Sequence, residues 1–86
     1  MLVEFSEKAE TELDKMDKSL QELFIKHAEK ISQIPQTRHL RFGLPFNVEE
    51  VTMQARMVFQ KDEETVYILH CFKSHKEYER WYKSFK

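Results

Sequence analysis

From Gln54 to Phe72 the apolar positions fall in two runs separated by a charged break. Gln54-Ala55-Arg56-Met57-Val58-Phe59-Gln60 is followed by Lys61-Asp62-Glu63-Glu64 and then by Thr65-Val66-Tyr67-Ile68-Leu69-His70-Cys71-Phe72. β-branched and aromatic residues on both sides of a short polar break predict a β-hairpin. The second run is apolar almost throughout, which predicts a strand covered on both faces. Upstream, the pattern changes period. Ala9, Leu13 and Met16 predict a helix over Glu7–Met16, with Ser6 as N-cap and Glu7 at its positive end. Asp17 predicts a second N-cap. From Lys18 on, Leu20, Leu23, Phe24, His27, Ile31 and Ile34 recur at spacings of three and four, an amphipathic helix stopped by Pro35. Two helices so closely joined predict a helical hairpin.

Leu2-Val3-Glu4-Phe5 alternates and predicts a short first strand. Arg38–Phe42 predicts another, ended by Gly43-Leu44-Pro45, and Phe46–Met53 is weakly strand-like. The tail carries Tyr78, Trp81, Tyr82 and Phe85 on one stripe of a terminal helix capped by Ser74. That stripe predicts packing against the sheet. The order β-α-α-β-β-β-α predicts an α+β fold in one domain, with helices on one face of a small, mostly antiparallel sheet.

Composition narrows the class. Eighty-six residues support one modest core; a chain of this size buries roughly 60–65% of its unfolded surface. A single cysteine excludes an intrachain disulfide, and the N-terminus shows no apolar signal segment. A reducing cytoplasm is the expectation. No apolar run approaches the roughly 18 residues of a membrane span. Four histidines and one cysteine show no metal-ligand spacing, so neither metal nor other cofactor is expected. Fourteen Lys and Arg against fifteen Asp and Glu leave a net charge of −1. The overall field is therefore not that of a nucleic-acid binder. The distribution is less even: Gln36–Phe46 holds Arg38, His39 and Arg41 without an acid, and Lys73, Lys76, Arg80, Lys83 and Lys86 outnumber Glu77 and Glu79 in the tail.

Two residues do not fit a plain strand core, Arg56 and His70. An arginine among apolar neighbours is paired, reaches a rim or lines a site. A two- or four-residue turn at Asp62–Glu63 or Lys61–Glu64 puts Arg56 opposite Leu69, and turns His70 to the other face with Met57 and Phe59. On that register His70 is a satisfied core histidine and His75, just past the strand, is the freer imidazole. The ordinary alternative for Arg56 is a rim arginine paired with Glu49 or Glu50. His27, inside the helical stripe, reads as structural, and Cys71 as a small core residue.

Four pieces in this order resemble the RelE/ParE superfamily of toxins from toxin–antitoxin pairs: Val3-Glu4-Phe5-Ser6; Arg38-His39-Leu40 before Gly43-Leu44-Pro45; Ala55-Arg56-Met57-Val58-Phe59; and Val66-Tyr67-Ile68-Leu69-His70-Cys71-Phe72-Lys73. The last is similar to the fourth strand of the HigB-like branch. The resemblance implies a ribosome-dependent endoribonuclease that cuts mRNA and represses translation, restrained by an antitoxin; one branch instead inhibits DNA gyrase. It implies Arg56 as the cation that meets charge on phosphorus, with His75 or His70 as acid and base. It implies Arg38, Arg41, Lys73 and Lys76 as RNA-backbone contacts and Tyr78 or Tyr82 as a stacking partner for a base. The expected partners are an antitoxin, the ribosome and mRNA. Active members are strongly basic and this chain is not, so a non-catalytic member that acts by binding a protein is the competing expectation.

Overall fold

The computed structural model describes residues 2–33 and 46–84. Seven elements follow in order: β1 (Leu2–Phe5), α1 (Glu7–Asp14), α2 (Lys18–Gln33), β2 (Asn47–Glu50), β3 (Arg56–Lys61), β4 (Thr65–Phe72) and α3 (His75–Lys83). The α+β class and the β-α-α-β-β-β-α order are those expected. The strand expected over Arg38–Phe42, the Gly43-Leu44-Pro45 turn, Ile34 and Phe85 lie outside the described residues.

Local chemistry sets the helix starts. Ser6 Oγ accepts from the Ala9 amide at 3.0 Å, and Ser74 Oγ accepts from the Glu77 amide at 3.1 Å. Asp17 Oδ1 accepts from the Leu20 amide at 2.8 Å, so the second cap also stands where the side-chain type predicts it. α1 is shorter than its apolar periodicity suggests and stops at Asp14. Gln21 of α2 caps that end, donating from Nε2 to the carbonyls of Leu13 at 2.7 Å and Met16 at 3.3 Å.

The sheet order is β1-β4-β3-β2. β2–β3 and β3–β4 pair antiparallel, whereas β1 lies parallel to β4. Both faces of β3 are apolar: Met57 and Phe59 belong to one core cluster, and Val58 between them belongs to the other. A strand apolar on both sides needs cover on both sides. α1 and α2 provide it on one face, through Ala9, Phe24, Ala28 and Ile31 against Met57, Phe59, Val66, Ile68 and Cys71. α3 provides it on the other, where Tyr78, Trp81 and Tyr82 pack with Phe46, Val58 and Phe72. The helices therefore do not share one face, as the simplest reading of the order implied. The terminal aromatic stripe needs a partner surface of its own, and Val48, Val58, Leu69 and Phe72 form it.

The hairpin turn lies one step further along than the expected two-residue turn at Asp62–Glu63. Asp62 and Thr65 close it by a bond from the Asp62 amide to the Thr65 carbonyl at 3.0 Å, while Asp62 Oδ1 accepts from the Glu64 and Thr65 amides. At the same tip Lys61 Nζ donates to the Ile31 carbonyl at 2.8 Å, tying the hairpin to the last turn of α2. Phe24 is fully buried at the centre of the α2 contact. Phe24→Ala should therefore cost about 3–5 kcal/mol, a large fraction of the stability of so small a domain. Urea melts should show a lower midpoint at an unchanged slope.

Candidate functional site

β4 changes faces once along its length. Phe59 pairs with Ile68, but Val58 pairs with His70, so Leu69 is an extra residue in the ladder. That is a β-bulge, and it reverses the alternation of everything beyond it. Phe72 pairs with Arg56 and Cys71 with Met57. Paired residues share a face, and so do residues two apart. Arg56, Val58, His70 and Phe72 therefore lie on the α3 face, while Cys71 lies with Met57 against α1 and α2. The expected register, with Arg56 opposite Leu69 and His70 beside Met57 and Phe59, is thus corrected. The bulge inverts the parity that a regular ladder imposes.

Each candidate side chain has a definite setting. The Arg56 guanidinium donates from Nη1 to the carbonyls of Thr52, Met53 and Ala55, each at 3.0 Å. Its Nη2 lies 3.7 Å from Glu50 Oε2, across the β2–β3 pair. Thr52 Oγ1 accepts from the amides of Gln54 and Ala55, so Arg56 and Thr52 together build the connection between β2 and β3. The pairing with Glu50 is the rim alternative that the sequence allowed. The three carbonyl bonds are an addition no charge pattern announces. Glu49 is taken elsewhere: its Oε2 meets His27 Nδ1 at 2.8 Å and Lys30 Nζ at 3.4 Å, fastening α2 to β2. His27 is structural, as its place in the helical stripe suggested.

His70 is half-buried. Its ring stacks on Phe72 with centroids 5.0 Å apart and meets Trp81 at 4.9 Å. Its Nδ1 lies 3.0 Å from Glu12 Oε2, and Glu12 Oε1 accepts from the Cys71 amide at 2.7 Å. Sequence reasoning missed Glu12, which sits among ordinary helix acids. The apolar spacing that turns Ala9 and Leu13 to the sheet is the one signal that brings its helix to β4. His75 opens α3, with Nε2 3.2 Å from Glu79 Oε2 and Nδ1 buried without a hydrogen-bond partner. An unpaired buried nitrogen costs on the order of 1–3 kcal/mol and marks a position worth probing.

Lys73 and Lys76 are exposed. Tyr78 is not: it is 6% exposed and packs on Phe72 and Trp81. A ring enclosed in this way has no free face for a nucleic-acid base, so Tyr78 packs against the sheet as its stripe predicts, and its expected role as a stacking partner is corrected. Arg38 and Arg41 lie outside the described residues. Because Arg56 pairs with Phe72, the chain carries Lys73, Ser74 and His75 onward from the same end of the sheet. His70 and His75 thus sit against one aromatic cluster, on Phe72 and Tyr78, and Arg56 joins it only through its backbone pairing with Phe72. Among the described residues no three His, Cys, Asp or Glu side chains are grouped to hold a metal ion. Nor is any described helix long and apolar enough to cross a membrane.

Burial, with the Glu12 carboxylate beside it, pushes the Cys71 thiol up to about 12. The folded state holds the thiol proton more tightly than the unfolded chain does. Its contribution to stability is full at neutral pH and is lost as pH rises from the ordinary thiol range towards 12. Native protein at pH 8 should react with iodoacetamide far more slowly than protein unfolded in urea, as read by intact mass. Arg56→Ala should lower stability by about 1–3 kcal/mol through the carbonyls it abandons, measured by urea melts.

No family model and no curated protein sequence matches the chain. Solved structures do. A YoeB/ParE toxin from Agrobacterium tumefaciens superposes with a TM-score of 0.67 at 10% identity, covering 84% of this chain and 96% of that one. A YoeB–YefM complex from Staphylococcus aureus gives 0.66 at 13% identity, covering 84% and 95%. A metal-bound toxin from Helicobacter pylori gives 0.61 at 19% identity, covering 90% and 97%. The likeness is one of fold: the chain has the α+β architecture of YoeB/ParE-type toxins of the RelE/ParE superfamily.

Proposed function

We propose that the chain is the toxin of a type II toxin–antitoxin pair and acts in the cytoplasm as a ribosome-dependent endoribonuclease on mRNA. The observation that carries this reading is the bulge at Leu69, which puts Arg56 and His70 on one sheet face, at the end where Lys73 and His75 follow. Cleavage of this kind asks little of the protein. The ribose 2′-oxygen attacks phosphorus, the bond to the 5′-oxygen breaks, one group removes the 2′ proton and another protonates the leaving oxygen. His70 and His75 serve as that acid–base pair. Arg56 meets the charge on the phosphorane, exchanging carbonyl partners for phosphate oxygens whose geometry suits its planar fork. Lys73 and Lys76, exposed just past the end of β4, grip the backbone, and Arg38 and Arg41 extend that grip. The antitoxin is the partner that covers the exposed lysines at this end of the sheet, in keeping with the YoeB–YefM complex among the structural neighbours.

A second reading is favoured by one observation. The three carbonyls and Glu50 around the Arg56 guanidinium give it a complete structural role without any substrate. A toxin fold that acts only by binding a protein would look the same at this residue.

Inducing the wild-type chain should arrest growth and leave ribosome-dependent cuts in mRNA. His75→Ala and the Lys73→Ala/Lys76→Ala double variant, each confirmed soluble and folded, should lower cutting by about a hundredfold or more for the histidine and by less for the lysines. Arrest without cuts would replace the nuclease reading with the protein-binding one. No arrest from soluble wild-type chain would count against a toxin acting in that host.

A further inference from the structure

β1 pairs with β4 only as far as Phe5 and Ile68, and β4 runs on to Phe72. Beyond Ile68 its outer edge is met by residues of the β1–α1 segment. The Ser6 amide donates to the Ile68 carbonyl, Ser6 Oγ donates to the Leu69 carbonyl at 2.9 Å, and Glu12 accepts from the Cys71 amide. One carboxylate therefore holds two neighbours at once, the Cys71 amide through Oε1 and His70 Nδ1 through Oε2. Three elements face the His70 ring: Val58 of β3 by pairing, Trp81 of α3 by ring contact and Glu12 of α1. Glu12 is the charged group among them. Its carboxylate can only accept, so the proton between the two groups belongs to Nδ1. No hydrogen bond within the described residues occupies Nε2.

We propose that Glu12 is the positioning residue of His70. It fixes the Nδ1–H tautomer and the ring orientation, leaving the Nε2 lone pair to take a proton from a substrate hydroxyl. The catalytic consequence rests on the nuclease reading above; the tautomer does not. A carboxylate behind an imidazole is a general way to orient a base and to stabilise the cation it becomes. Here the same carboxylate also satisfies the first backbone amide past the histidine. A shift of α1 would therefore release the edge and the ring together.

The test uses Glu12→Gln in the full chain. Its amide oxygen can still accept from the Cys71 amide, but its NH₂ then faces Nδ1 and the ring proton must move to Nε2. Imidazole ¹⁵N shifts should show the Nδ1–H tautomer for neutral His70 in the wild type and the Nε2–H tautomer in Glu12→Gln. mRNA cutting should fall by roughly ten- to a hundredfold, the lower part of what one acid–base group contributes. Ser6→Ala, which loosens the same segment without touching His70, should lower the melting temperature and leave the tautomer unchanged. Wild-type His70 in the Nε2–H form, or a tautomer indifferent to Glu12→Gln in folded protein, would overturn the proposal. Wild-type protein that cuts no RNA would remove the catalytic role and the nuclease reading with it, while the ¹⁵N shifts would still decide the positioning.

Discussion

The outer edge of β4 is where the architecture is most constrained. A four-residue strand lies beside an eight-residue one, and a strand edge left beside packed side chains has to satisfy its amides and carbonyls. The chain answers with side chains in place of backbone: the Ser6 hydroxyl on Leu69 and the Glu12 carboxylate on Cys71. Ser6 also caps α1, so one residue ends the strand, starts the helix and closes the edge. The position of α1, the stability of the bulge and the setting of His70 follow from that small group of bonds.

The faces of the sheet then divide the labour. One buries Met57, Ile68, Val66 and Cys71 beneath the two N-terminal helices and is wholly apolar at its centre. The other combines aromatic packing under α3 with the cationic and imidazole groups. Arg56 belongs to both worlds, since its backbone pairs with Phe72 and Glu50 while its guanidinium builds the preceding connection. A guanidinium that holds three carbonyls in place presents its remaining edge in a fixed direction. The same bonds are consistent with a poised cation and with a purely structural one, because the geometry of a preorganised group and of a structural brace is alike.

Much of this was legible in the residues. Ser6, Asp17 and Ser74 stand at helix starts because their side chains do there what the backbone cannot. The near-continuous apolar run of β4 did mean cover on both faces. What the residues hide is counting. Leu69 carries no glycine or other marker of a bulge, and an apolar run has no alternation to break, so the reversal at His70 leaves no trace in the pattern. Glu12 is hidden for another reason: its partners are 58 and 59 positions away, and nothing local separates it from its acidic neighbours. Tyr78 shows the reverse case. Its type suits base stacking as well as a core, and only the opposing Phe72 and Trp81 decide between them.

The bulge has a consequence for how such a strand can change over generations. Leu69 is a residue that the ladder does not count: taking it out would leave His70, Cys71 and Phe72 opposite Val58, Met57 and Arg56, and Ile68 opposite Phe59. A one-codon loss at that point preserves every β3–β4 pairing, whereas a codon gained between His70 and Cys71 would turn the distal side chains over and carry the cysteine to the imidazole's side. The strand thus carries a spare place in its length, and drift in chain length is tolerated there while its neighbours are held to number.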